Sequence, residues 1–188
     1  KKEGINSKAD VDVAYELPGI GRFRVNIFRQ KGQLGYVLRH VESNVPSFEE
    51  LCLPNTVLTK LASLNRGLVL VTGQAGSGKS TTLAAIINYI NENFNKHIVT
   101  IEDPIEFIFK DRKSIVNQRE IGTDTIDFLT ALKMAVRQSP DVILIGEMRD
   151  QETMGAAIAA AETGHLVLST LHTVNAVQTV ERIIHFFP

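Results

Sequence analysis

The sequence predicts an α/β protein: a mainly parallel sheet covered by helices on both faces, preceded by a smaller antiparallel sheet. Three observations predict it. From residue 57 onward, short apolar runs alternate with helical stretches, the order expected of buried strands joined by crossover helices. The glycine-rich run Gly73-Gln74-Ala75-Gly76-Ser77-Gly78-Lys79-Ser80 stands between one such strand and one such helix. Before residue 43, apolar and polar residues instead alternate at period two, as in half-buried antiparallel strands.

In the first part, strands are expected at residues 10–15, 22–27 and 36–39. Pro18-Gly19 and Gly21 break the first pair, and Lys31-Gly32-Gln33 breaks the second. The alternation puts Phe23, Val25 and Ile27 on one face and Arg22 and Arg24 on the other, so a cationic outer face is expected. Residues 1–42 therefore read as part of a small α+β or β domain. Across 43–56 the pattern lapses. Pro46 and Pro54 flank Ser47-Phe48-Glu49-Glu50, a linker composition with room for one helical turn. The larger domain, 57–188, then runs helix 57–64, strand 68–71, helix 80–91, strand 98–101, helix 126–137, strand 142–145, helix 152–163, strand 166–169 and helix 176–186.

Composition narrows the class. A chain of 188 residues suffices for one good core and a small second module. With 44% apolar and 22% charged residues it stands apart from disordered and membrane-embedded chains. No apolar run approaches the roughly 18–20 residues of a spanning helix, and Lys1-Lys2-Glu3-Gly4 opens no signal-peptide stretch, so a soluble intracellular protein is expected. One cysteine, Cys52, excludes an internal disulfide or a multi-thiolate zinc site within this chain; beside Leu51 and Leu53 it reads as a small buried residue. A net charge of −1 supplies no global field for nucleic acid or anionic membrane. The lack of an initiator Met, and the stop at Phe186-Phe187-Pro188 after an amphipathic helix, predict that parts of the protein lie outside this chain.

The loop at 73–80 fits G-x4-G-K-[ST], and its strand and helix stand where that motif needs them. Its glycines let backbone N–H groups converge on phosphate oxygens, and the helix that continues through Thr81 adds its positive end. Lys79 supplies charge for the β and γ phosphates, and Ser80 offers a hydroxyl to Mg²⁺. ATP and Mg²⁺ are the expected ligands.

Hydrolysis at such a loop needs carboxylates at the C-terminal ends of neighbouring strands. The run Val142-Ile143-Leu144-Ile145 ends in Gly146-Glu147, and Ile98-Val99-Thr100-Ile101 ends in Glu102-Asp103-Pro104-Ile105-Glu106. Glu147 is the candidate for orienting water. Gly146 occupies the place of a frequent metal-binding Asp, which shifts metal work to Ser80, Glu102, Glu147 and water. Asp103 and Glu106 read equally as capping or surface carboxylates, and Asp150, just before a helix, reads as an N-cap. His165 and His172 bracket one strand from opposite ends and so cannot share a metal. His172, at the C-terminal end, is the candidate γ-phosphate sensor. Arg22, Arg24 and Arg39 serve as phosphate-neutralising arginines if their sheet folds over a nucleotide, and otherwise form a solvated strand face.

Together these segments resemble the type II/IV secretion ATPase superfamily, in particular the type IV pilus twitching-motility (retraction) ATPases of the PilT/PilU family. Residues 136–150, Val-Arg-Gln-Ser-Pro-Asp-Val-Ile-Leu-Ile-Gly-Glu-Met-Arg-Asp, are similar to the family's long signature. Ile101 to Phe107 resembles its acidic box, Thr163 to His172 its histidine box, and Arg22-Phe23-Arg24-Val25-Asn26 a strand of its N-terminal domain. The resemblance implies a RecA-like core with a partial PAS-like domain, and a homohexameric ring with nucleotide held between the two. It further implies that Arg22, Arg24 and Arg39 approach the phosphates, that hydrolysis drives pilin removal, and that the motor works at the cytoplasmic face of the inner membrane. The implied partners are an inner-membrane platform protein and a paralogous retraction ATPase, with no nucleic acid. A pilus-extension or type II secretion ATPase, a RecA-like nucleic-acid translocase, a small-molecule kinase and a nucleotide-binding scaffold without turnover are the alternative readings.

Overall fold

A two-residue turn closes the second hairpin of the smaller sheet: Lys31 and Gly32 have φ of 49° and 79°, the paired positive values that match the twist of flanking strands. It joins β2 (Gly21–Gln30) to β3 (Gln33–Val41), and β1 (Val11–Leu17) pairs on the far side of β2, giving an antiparallel sheet in the order β1-β2-β3. The computed structural model describes residues 10–187; the first nine residues of the expected N-terminal domain, and Pro188, lie outside the described residues. Register sets Arg24 opposite Arg39, and the period of two places Arg22 beside them, so all three arginines share one face. Asp12 lies 3.5 Å from the Arg24 guanidinium on that face. On the opposite face Phe23 and His40, cross-strand partners, meet edge-on at 5.1 Å.

The chain divides into two compact units, residues 10–44 with 106–108, and residues 45–105 with 109–187. Residues 106–108 join the first unit through backbone bonds: Glu42 N–H donates to Glu106 O (3.2 Å) and Ile108 N–H to Glu42 O (2.9 Å). Backbone pairing of this kind leaves no trace in side-chain pattern.

The second unit runs α1 (Asn55–Ala62), β4 (Gly67–Thr72), α2 (Lys79–Asn93), β5 (His97–Glu102), β6 (Ile115–Glu120), α3 (Phe128–Val136), β7 (Val142–Ile145), α4 (Gln151–Glu162), β8 (Leu166–Leu171) and α5 (Ala176–Ile184). Its five strands are all parallel, in the order β4-β8-β7-β5-β6. Successive residues of each strand feed opposite faces. Val99, Ile101, Ile143, Ile145 and Val167 pack with Ala131, Leu132, Met154 and Ala157 of α3 and α4. Ile98, Val142, Leu144, Leu166 and Leu168 pack with Leu83, Ile86, Ile87 and Ile90 of α2 and with Leu58 of α1. Covering both faces explains why these strands are apolar throughout rather than alternating.

The structure departs from the sequence expectation in four places. Strand β6 was not anticipated: its polar sequence, Ile115-Val116-Asn117-Gln118-Arg119-Glu120, suits an edge position, and its place is set by backbone pairing to β5. The segment 43–56 is partly core, since Phe48 is buried and stacks on Tyr89 at 5.4 Å. Cys52 is exposed rather than buried: its φ of 52° and the bond from its N–H to Glu49 O close a tight turn that faces it outward. Helix α3 begins at Phe128, two residues late, because Asp127 caps it by accepting from Thr130 N–H at 2.7 Å.

Two outcomes follow from these packing arrangements. Asn91, buried on α2, donates to Lys110 O (2.8 Å) and accepts from Arg112 N–H (3.1 Å), tying the approach to β6 onto the helix. Asn91→Leu strands both backbone groups and should cost about 2–3 kcal/mol in urea unfolding. The Thr130 backbone and side-chain hydrogen bonds hold the Asp127 carboxyl below its ordinary value. A depressed folded pKa gives stability that is present above the unfolded value of about 3.9 and lost as pH falls through the folded one. Asp127→Ala should therefore be less stable than the parent at neutral pH, with the difference closing in strong acid.

Candidate active site

Because every strand of the second sheet runs the same way, the chain leaves β4, β8, β7 and β5 at one edge, and the sequence candidates of this unit gather there. The loop after β4 curls back on itself. Gly73 (φ 157°) approaches Ser77 so closely that an added Cβ would stand 2.5 Å from its Oγ and 3.3 Å from its Cβ, so any larger residue there would have to displace the Ser77 side chain. Gly78, at φ 87°, is the left-handed cap from which α2 starts, and Thr82 returns both its N–H (2.8 Å) and its hydroxyl (2.9 Å) to the Gly78 carbonyl. Gln74, Ala75, Gly76, Ser77 and Ser80 form an exposed rim, with Thr81 half-buried behind it. Lys79 is buried inside the curl, its ammonium donating to Gly73 O (3.0 Å) and Gln74 O (2.8 Å). An exposed rim of backbone at a helix N-terminus, with a buried ammonium under it, fits a polyphosphate anion. Ser80, in the first turn of α2, fits a hard cation that such an anion would bring. Among the described residues no group of three or more His, Cys, Asp and Glu is arranged to hold a metal, so phosphate oxygens and water would complete any Mg²⁺ shell.

Glu147 lies one residue past Gly146, which follows β7. Gly146 N–H donates to Ile101 O (2.8 Å), and the Thr170 hydroxyl donates to Gly146 O (2.8 Å), so the segment is pinned between β5 and β8. A Cβ on Gly146 would meet Ile101 O at 3.4 Å and Glu102 Cα at 3.5 Å, leaving room for a methyl and little more against the neighbouring backbone. The Glu147 carboxylate is held at both oxygens: Oε1 by the Arg149 guanidinium, and Oε2 by His172 Nε2 at 3.1 Å. Arg149 also lies 3.6 Å from Asp103. Glu102, at the end of β5, is buried and accepts from Thr100 Oγ1 at 2.6 Å.

The structure thus brings Glu147 and His172 into contact and sets Glu102 on the adjacent strand. With β8 and β7 between them, β4 and β5 stand three strand spacings apart, about 14 Å. Arg22, Arg24 and Arg39 lie together in the first unit. Asp150 is the N-cap of α4, accepting from Thr153 N–H (2.7 Å), and His165, at the far end of β8, contacts Ala160 O through Nδ1 (2.9 Å). Glu106 falls in the first unit. Sequence reasoning missed the part played by Arg149. Its signal was the i, i+2 spacing from Glu147 just past a strand end, which puts two side chains on one side of an extended segment. An open pocket of about 470 Å³ flanks Arg149, lined by Asp103, Ile126, Phe128 and Asp150 among others, and does not include the phosphate loop. No helix among the described residues is long and apolar enough to cross a membrane.

The type II/IV secretion system protein family matches residues 22–186. The type IV pilus ATPase PilU of Pseudomonas aeruginosa is 56% identical over 95% of this chain and 47% of its own length, and a twitching motility protein of Neisseria gonorrhoeae is 56% identical over 95% of this chain and 48% of its own. The crystal structure of the pilus retraction motor PilT with bound ADP superposes with a TM-score of 0.95 at 51% identity, over all of this chain and 54% of PilT. The chain spans about half the length of the curated relatives it matches. With its parallel sheet, its phosphate loop and a family match over most of its length, the chain belongs to the type II/IV secretion system protein family, alongside the PilT/PilU twitching-motility members.

Proposed function

We propose that this chain is the nucleotide-hydrolysing part of a motor that powers type IV pilus retraction. The observation that carries this reading is the gathering of the phosphate loop, Glu147 and His172 at one edge of the sheet, in a chain so similar to PilU and PilT. The loop N–H groups of 73–80 and Lys79 bind the β and γ phosphates of ATP, and Thr81 extends the same helix N-terminus. Mg²⁺, held by Ser80 and water, would neutralise charge on the transferring phosphoryl group. Glu147 orients the attacking water; an ionised carboxylate has about four lone-pair sites, so it can accept from water while Arg149 and His172 hold its two oxygens. His172, in contact with Glu147, reports the γ-phosphate, and Glu102 acts on the metal's water shell.

Arg22, Arg24 and Arg39 then supply the positive charge that the transferring phosphoryl group requires, either within one subunit or across a homohexameric ring. The motor works at the cytoplasmic face of the inner membrane, on a platform protein and with a paralogous retraction ATPase, and engages no nucleic acid. The balanced net charge supports that last point.

Lys79→Ala should abolish both ATP binding and turnover. Glu147→Gln should bind ATP as the parent does while kcat falls about 100-fold or more, the scale of losing one group that acts in the transition state. Hydrolysis by Glu147→Gln at the parent rate would remove Glu147 from the role. Specific activity should rise with protein concentration in step with assembly, read by size analysis on the same samples; a fully active monomer would overturn the shared-site ring. DNA should leave the rate unchanged.

A further inference from the structure

Glu102 is only 9% exposed, and a carboxylate that deep must be satisfied by donors. Thr100 Oγ1 donates to its Oε1 at 2.6 Å and Gln118 Nε2 to the same oxygen at 3.3 Å. The convergence is built into the sheet. Thr100 and Gln118 are partners in the β5/β6 register, and Glu102 is two residues beyond Thr100, so all three side chains leave one face. The orientation of the Gln118 amide is fixed as well. Its Oε1 accepts from Phe109 N–H at 2.9 Å, so the end left for Glu102 is the NH₂ donor; a flipped amide would set donor against donor and acceptor against acceptor.

We propose that Gln118, oriented by the Phe109 backbone and seconded by Thr100, is the positioning residue of Glu102, fixing which carboxylate oxygen faces the reacting nucleotide. Glu102 enters through the functional reading above, and the proposal rests on that reading. Gln118 is not a catalytic residue here: it acts through Glu102. Its location on a polar edge strand explains why a glutamine, rather than an apolar residue, points into this buried corner.

The test measures ATP turnover and the affinity of a fluorescent ATP analogue in the full chain for the parent, Glu102→Gln, Gln118→Met, Gln118→Glu and Thr100→Val, with melting temperature as the folding check. Gln118→Glu keeps an acceptor for Phe109 N–H but turns a carboxylate toward Glu102, so it separates holding the loop from holding the carboxylate. Gln118→Met and Gln118→Glu should each lower kcat about 10-fold or more, in line with a small misplacement of a reacting group, with analogue affinity within about 2-fold of the parent. On the Glu102→Gln background neither should lower the residual rate further. Full turnover by Gln118→Met, or an equal loss on the Glu102→Gln background, overturns the proposal. Parent-like turnover by Glu102→Gln removes Glu102 from the mechanism and the proposal with it, whereas an inactive parent overturns the functional reading itself.

Discussion

Three central parallel strands, β8, β7 and β5, are buried on both faces, and they impose the constraint on which the rest of this protein depends. Their backbone groups have no water to turn to, so each must be satisfied by a neighbouring strand, and parallel neighbours require a crossover between every pair. Helices α2, α3 and α4 carry the crossovers from β4 to β5, β6 to β7 and β7 to β8, while residues 103–114 join β5 to β6 without a helix; the apolar stripes of those helices pack into the core clusters. Once the strands are parallel, every strand ends at the same edge. There the chain must become polar, and there Gly73 to Ser80, Glu102, Glu147 and His172 are found.

The order of strands then decides which of these groups meet. Strand β8 lies between β4 and β7, so His172 emerges beside Glu147, and the Thr170 hydroxyl reaches the Gly146 carbonyl. Hydroxyls inside the strands hold their ends: Thr170 on β8 anchors Gly146, the first residue past β7, and Thr100 on β5 holds Glu102, the last residue of its own strand. The ion pair between Glu147 and Arg149 contributes little to stability: Arg149 has 59% of its side chain in solvent, and exposed pairs contribute about 0–1 kcal/mol. Its consequence is positional, since it restrains the second oxygen of a carboxylate whose first is held by His172.

The smaller sheet follows a different rule. Its alternating pattern and positive-φ turn set the register, and the register alone places Arg24 opposite Arg39 with Arg22 alongside. A slip of one residue would send those arginines to the other face. The three cations are thus a consequence of hairpin geometry, and Asp12 offsets part of their charge.

The amino-acid sequence by itself determined the fold class, the phosphate loop, four of the five parallel strands and all five helices to within a few residues, because burial on both faces and helical periodicity are local patterns. It also determined that Glu147 and His172 lie just past strand ends and that Glu102 lies at one. Only the tertiary structure decided what those side chains touch. The contact of Glu147 with His172 depends on the insertion of β8, and the bonds from Thr100 and Gln118 to Glu102 depend on β6, whose polar edge sequence carries no burial signal. Cys52 and Phe48 make the same point in opposite directions: neighbours in one linker-like stretch, one is turned outward by a left-handed turn and the other is drawn into the core against Tyr89. Strand order, register and turn handedness are properties of the whole chain's hydrogen bonding, so no local window of sequence contains them.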